Sequence, residues 1–206
     1  GGSGRETQEI AACDHTFVIS MSEITQLKAR GIRRLSWSPP LVRPGEYPPA
    51  EGCALIGSAN RFNLVGLRWL ERAGSLIRGC PIRVYGALSG KVKNHVLEQR
   101  GRYEETDQPY RENGLVLLAT VQGMGVQIKT IEALASGRAV IARKGAVRGL
   151  PPGEGAWVEV ETPEEALEWI CRLSENEAER RQWAAKTRAY ALRHLDADTF
   201  LKDIKT

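Results

Sequence analysis

The sequence predicts an α/β protein with a doubly wound parallel sheet, Rossmann-like, and a helical C-terminus, on three observations. The first is a strand–turn–helix–strand unit. The apolar run Leu115-Val116-Leu117-Leu118-Ala119 leads into a glycine turn, Gly123-Met124-Gly125. A helical stretch carrying Lys129 and Glu132 follows, and then a second apolar run, Ala139-Val140-Ile141-Ala142. Two apolar strands joined through a helix form a βαβ unit, whose crossover makes the strands parallel. The second observation is that the same alternation occurs upstream, from about Cys53 to Gly86. The third is a run of helix-start signals after Thr162, where Thr162-Pro163-Glu164-Glu165 combines an N-cap, a proline at the first helical position and a capping-box glutamate.

Taken in order, Gly1-Gly2-Ser3-Gly4 reads as a leftover expression tag and carries no fold information. Thr16-Phe17-Val18-Ile19-Ser20 is a strand-like run. A helix follows, with Ser22 as its N-cap and Gly31 at its end. Between Pro39 and Pro49 lie five prolines and one glycine, which no regular element tolerates, so the segment reads as a linker. The division is therefore residues 1–50 (tag remnant, end of a preceding domain, linker) and residues 51–206 (a ligand-binding α/β domain). Within the second unit, Cys53–Ser58 predicts a strand, Phe62–Ile77 a helix, Pro81–Gly86 a strand, Val92–Gln99 a short helix, and Gly101–Asn113 a loop with a helical turn near Tyr110. Ala156–Val160 predicts another strand. Ser174-Glu175-Asn176-Glu177 repeats the capping-box signature for a helix ending near His194, and Asp196 is positioned to cap a last one.

Composition excludes several classes. An apolar fraction of 42% and a charged fraction of 26% are those of an ordinary globular chain. The net charge of +4 fits an anionic ligand or an anionic surface but selects neither, and no basic–aromatic stripe points to nucleic acid. No apolar run is long enough to span a bilayer. Cys13, Cys53, Cys80 and Cys171 lack metal-ligand spacing and a CxxC pair, so they are expected to be reduced thiols of a cytoplasmic protein. There is no GxSxG, no Walker A sequence, and no full GxGxxG, because Ile128 stands where the third glycine would be.

Three stretches suit an anion, each with a bland alternative. Glycines at a strand-to-helix turn let a ligand approach the backbone, and a helix start offers free N–H groups; Gly123, Met124 and Gly125 stand there, with Lys129 and Glu132 just inside the helix. The bland reading makes Lys129 and Glu132 a surface ion pair, while the functional one puts the carboxylate on a ribose diol and the lysine near phosphate. In Gly57–Asn63, Arg61 can clamp a phosphate bidentately, or Asn60 caps a helix and Arg61 is solvated. Lys144–Leu150 is either a third basic turn or an ordinary one. All three follow predicted strands, and ligands of open α/β sheets sit outside the carboxyl ends of the strands.

The run Gly125–Ala142, followed by Gly149-Leu150, resembles the C-terminal, donor-binding "group 1" domain of GT-B glycosyltransferases of the family-4 type. The likeness extends over residues 52–195, and Asp14–Ser22 resembles the last strand of that family's N-terminal acceptor domain. The resemblance implies a glycosyltransferase of hexosyltransferase type that moves a sugar from a UDP- or GDP-linked donor without metal or other cofactor and with retention of configuration. Its partners would be that donor and an absent N-terminal acceptor domain, with no nucleic acid, and its place the cytoplasm or the inner membrane face as a peripheral protein. Carried over by position, Glu132 binds the donor ribose, Gly123, Met124 and Gly125 present backbone amides, Lys129 lies near phosphate, and Asn60 and Arg61 belong to the donor side. Met124 stands where many relatives carry a second glutamate, and Ser58-Ala59-Asn60-Arg61 replaces the family's lysine-bearing turn. These departures leave open a catalytically degenerate nucleotide-binding or protein-interaction module. A nucleotide-sugar epimerase is the third option, but its histidine and carboxylate set is not found. Half a cleft is expected to bind nucleotide and turn over little.

Overall fold

A computed structural model describes residues 4–77, 79, 81–121 and 125–198. Six parallel strands form the main sheet: β3 (Cys53–Ile56), β4 (Ile82–Tyr85), β5 (Glu98–Gly101), β6 (Leu115–Leu118), β7 (Ala139–Arg143) and β8 (Val158–Val160). Their spatial order is β5-β4-β3-β6-β7-β8, so the chain winds outward from β3 in one direction and from β6 in the other. The reversal between β3 and β6 is the switch point, where two crossovers leave on opposite faces and open a crevice.

Strand periodicity sorts the core onto two faces. Leu55, Leu117 and Ile141 pack with Leu67 and Leu70 of α3 (Arg61–Glu71) and with Leu167 and Ile170 of α6 (Pro163–Glu175). The alternate residues Ala54, Val116 and Val140 pack with Ile131 and Leu134 of α5 (Ile128–Ala135) and with Tyr190 and Ala191 of α7 (Glu177–His194). Strands covered on both faces are apolar throughout, which is why β3 and β6 have no exposed position. Thr162 caps α6 through the capping box read from the sequence.

Several boundaries move. The helix expected over Phe62–Ile77 ends at Glu71; Gly74, at φ +57, lets the chain tighten into a 3₁₀ turn at Gly74–Ile77. The helix expected over Val92–Gln99 does not form. Glu71 Oε1 accepts from the backbone N–H of Lys93 and Asn94, Asn94 Oδ1 accepts from Val96 N at 3.0 Å, and the chain then enters edge strand β5. Ser20, not Ser22, is the N-cap of α2 (Met21–Ala29), and Asn176, not Ser174, caps α7 by accepting from Glu179 N at 3.0 Å. A four-residue helix, α4 (Gln108–Arg111), holds Tyr110. The last helix expected after Asp196 runs into residues outside the described ones.

The cysteine expectation is corrected. Cys13 and Cys53 are free, but Cys171 is disulfide-bonded, and Cys80 lies outside the described residues. Cystine formation depends on Cβ proximity in space, which linear spacing does not encode. The compartment argument from four reduced thiols therefore loses its basis. Among the described residues no helix is long and apolar enough to cross a membrane.

N-terminal to the sheet, α1 (Gly4–Ala11) precedes a small βαβ unit. In it β1 (Thr16–Val18) pairs in parallel with β2 (Leu35–Trp37), and Val18, Ile24, Leu27 and Ile32 form a separate core. The unit touches the main sheet's C-terminal edge, where Met21 N donates to Gly149 O at 2.8 Å. The proline-rich segment is irregular, as expected, but it is not free. Val42 N donates to Leu195 O, Gly45 N to Ala135 O at 2.7 Å, Arg138 Nη2 to Pro48 O at 2.9 Å, and Arg188 Nη1 to Gly45 O at 2.8 Å. It is a strap pinned across the ends of α5 and α7.

Candidate nucleotide site

The turn after β3 is closed on itself. Asn60 Oδ1 accepts from Asn63 N at 2.9 Å, which makes Asn60 the N-cap of α3, and Asn60 Nδ2 donates to Ser58 Oγ at 3.1 Å. Asn63 Nδ2 donates to Ser58 O at 3.0 Å. Arg61 is exposed, its guanidinium 5.4 Å from the centroid of the neighbouring Phe62 ring. These are the places the bland reading gave both residues.

The turn after β6 differs. Gly123 and Met124 lie outside the described residues. Gly125 adopts φ +66, a left-handed conformation that suits glycine, with open space where a side chain would stand. Gln127 occupies the N-cap position of α5, yet it does not cap that helix; its Nε2 donates to Thr120 O at 2.8 Å. The first N–H groups of α5 thus have no side-chain acceptor from their cap residue, and a helix start in that condition favours an anion.

Lys129 turns away from Glu132. Its Nζ donates to Asn63 Oδ1, at the start of α3, and to Thr120 Oγ1 at 2.7 Å, just beyond β6; Thr120 Oγ1 in turn donates to Asn63 Oδ1 at 3.0 Å. The lysine therefore spans the switch point between β3 and β6. Both partners are neutral, and burial, with the nearby positive charge of Arg148, lowers its pKa to about 8. The surface ion pair is thus replaced by a desolvated ammonium held by neutral oxygens beside a second cation. Arg148 comes from the third basic turn, which packs beside Ser20 and Val126 at Gly149. Nothing in the sequence indicated Asn63 or Thr120 as partners of Lys129, since both are reached only across the sheet edge.

Glu132, one turn farther along α5, is half-buried and lines a cavity of about 280 Å³. The strap (Val42, Arg43, Gly45, Tyr47), Thr106 and Asp107 complete its walls with Tyr110, Ala135 and Ser136. Burial raises the pKa of the Tyr103 and Tyr110 hydroxyls, and the Glu132 charge adds to it, so both tyrosines lie close to the carboxylate. The arrangement places two cations and an uncapped helix start at one end of α5, and a carboxylate acceptor above a partly aromatic cavity one turn on.

The sequence model of the family described as glycosyl transferase-like matches residues 53–206. No curated protein matches the chain in sequence. Among solved structures, a glycosyltransferase from Rickettsia africae superimposes with a TM-score of 0.74 at 11% identity, covering 100% of this chain and 66% of its own. The HepE protein of Anabaena in complex with UDP gives 0.70 at 13% identity, covering 94% and 63%. Sucrose-phosphate synthase from Thermosynechococcus elongatus gives 0.69 at 19%, covering 97% and 59%. The chain spans less than two thirds of the length of each, and at these identities the likeness speaks for the fold, a parallel-sheet GT-B half. With the family model matched over most of its length and the parallel-sheet fold of a GT-B half around it, this chain belongs to the glycosyl transferase-like family as a group 1, C-terminal GT-B domain.

Proposed function

We propose that the chain is the donor-binding half of a glycosyltransferase that takes its sugar from a nucleoside diphosphate sugar. The observation that carries this reading is Lys129. A lysine desolvated at the switch point, beside Arg148 and an uncapped helix start, is poised for an anion that restores its charge balance. A diphosphate meets that demand. The geometry of α5 then sets the register, because an α-helix rises about 1.5 Å per residue. The phosphates lie at the helix start, and the ribose diol lies at Glu132, whose carboxylate accepts both hydroxyl hydrogens.

In sugar transfer, the bond between the anomeric carbon and the diphosphate breaks and negative charge collects on the departing oxygens. Lys129, Arg148 and the α5 amides stabilise that charge, which is electrostatic catalysis by groups already in place. The acceptor hydroxyl attacks the anomeric carbon and loses its proton. The family likeness adds retention of configuration and independence of metal to this reading. The HepE structures hold UDP and UDP-glucose, which favours a uridine donor with a hexose.

The acceptor side belongs to a second domain in this proposal. β1 exposes Phe17 (54%), and Ile19 (52%) just beyond the strand is exposed as well, beside a two-stranded parallel sheet. Parallel sheets are ordinarily covered on both faces, so the pair fits the end of a larger α/β domain. Isothermal titration of the 206-residue chain with UDP and GDP tests the donor reading. Saturable binding of either supports it, and no heat with both overturns it.

A further inference from the structure

A second cavity, of about 210 Å³, lies at the amino-terminal edge of the sheet, the edge opposite the switch-point turns. Ala50 and Gly114 line it just ahead of β3 and β6, and the first turns of α7 close it with Glu177, Arg180, Arg181 and Ala184, which share one helix face. Arg138 enters from the start of β7. A Cβ on Gly114 would stand 3.0 Å from Arg180 Nε and 2.2 Å from Ala50 O, so a glycine there is what lets the guanidinium reach the strand ends.

Arg138 and Arg180 are 7% and 8% exposed. Each is anchored by main-chain carbonyls. Arg138 Nε donates to Tyr110 O at 2.8 Å, and its Nη2 to Pro48 O at 2.9 Å and Arg111 O at 3.5 Å. Arg180 Nη1 donates to Leu173 O at 2.6 Å and to Ser174 O at 3.1 Å. Arg138 Nη1 and Arg180 Nε and Nη2 are left without an acceptor among the described residues, and no described carboxylate pairs with either side chain. Glu177, the one acidic wall residue, is taken at the exposed rim by Arg181, at 2.5 Å. Burial lowers the Arg138 pKa, Tyr47 opposes this, and the Arg180 charge lowers it further, so the two guanidiniums feel each other. Buried arginines are ordinarily paired with an anion.

We propose that this cavity binds a small phosphate anion, either inorganic phosphate or the phosphate group of a monoester, between Arg138 and Arg180. A phosphate offers several oxygens to planar N–H forks and supplies the negative charge the pair lacks. The space equals that of roughly seven waters, which leaves room for a short organic tail. The site is on the far edge of the sheet from Lys129, and the proposal does not depend on the donor reading.

The test is calorimetric titration of the 206-residue chain with inorganic phosphate and with glycerol phosphate. Saturable binding below about 10 mM is expected for the wild-type chain. The better ligand of the two tells free phosphate from a monoester. Lys129→Met should leave this binding in place. Arg180→Met should weaken it about tenfold. Ala184→Glu should abolish it while the melting temperature holds, because it puts a carboxylate in the cavity and touches none of the carbonyl anchors. That variant decides the matter if Arg180→Met fails to fold. No saturable binding by the wild-type chain overturns the proposal. Binding that survives Ala184→Glu overturns it too, and if that binding is lost in Lys129→Met the ion sits at the switch point.

Discussion

The two strand-to-helix turns flanking the switch point have the same topological position and opposite chemistry. After β3, the turn consumes its own polar groups: Asn60 caps α3 and Asn63 ties back to Ser58. After β6, the cap residue of α5 looks elsewhere, with Gln127 bonded to Thr120 O, and the helix start receives no side-chain cap from it. Lys129 links the two by reaching from the open turn to Asn63 of the closed one. A strand C-terminus is thus only an address. Which turn binds an anion depends on whether side chains have already taken the first N–H groups of the helix.

That contrast can be broken by mutation. The largest effect is expected for Lys129→Met. Loss of a charged hydrogen-bond donor costs about 1.5–3 kcal/mol, so nucleotide and pyrophosphate affinity should both fall on the order of 30-fold in calorimetry. Thermal stability should hold or rise, because a desolvated cation is removed. Unchanged affinity would place the anion elsewhere.

Next in size is Glu132→Ala, which should weaken UDP or GDP about tenfold and leave pyrophosphate untouched, since only the nucleotide has a diol. Equal losses for both ligands would contradict the ribose role.

The pH dependence is sharper in sign than in size. The native pKa of Lys129 is about 8, below the ordinary 10.5, so the native state releases this proton before the unfolded state does. Its contribution therefore makes stability rise with pH between about 8 and 10.5, and below 8 the cost of the buried charge is fully present. Binding of an anion favours the charged form, so nucleotide binding near pH 8.5 should take up protons and should weaken severalfold by pH 9.5. Titration in two buffers of different ionisation enthalpy measures the uptake; zero uptake would remove Lys129 from the site.

The smallest effect tests the closed turn. Asn60→Ala should cost about 1 kcal/mol of folding stability as a lost cap and leave nucleotide affinity within twofold. A larger loss of affinity would show that the β3 turn is part of the site after all.

Legibility of the chain followed burial. β3, β6 and β7 are covered on both faces, so their apolar runs announced them. β5, with sequence Glu98-Gln99-Arg100-Gly101, is an edge strand with three exposed residues and no apolar signal, so a helix was expected in its place. β2 passed unnoticed for a similar reason, since each of its three residues is only partly buried. Of the candidate site, Lys129 and Glu132 stood out because both sit just inside a helix after a glycine turn. Thr120 did not, and although the stretches holding Asn63 and Arg148 were read as candidate turns, their meeting with Lys129 was not legible, because the three are 9, 66 and 19 positions from it and meet it only at the sheet edge. Tyr47 hid in a proline-rich stretch that has no periodicity to read.

By itself the sequence determined the alternation of strands and helices, the parallel sheet, the Thr162 cap and the glycine turn that precedes α5. These follow from side-chain period, crossover length and local backbone chemistry, which act within a few residues. Tertiary structure alone decided that Lys129 spans the switch point instead of pairing with Glu132, that Cys171 is oxidised, and that the strap roofs a cavity at Glu132. Those outcomes depend on which distant groups share a low-dielectric space, and desolvation there outweighs what neighbours in the chain would otherwise prefer.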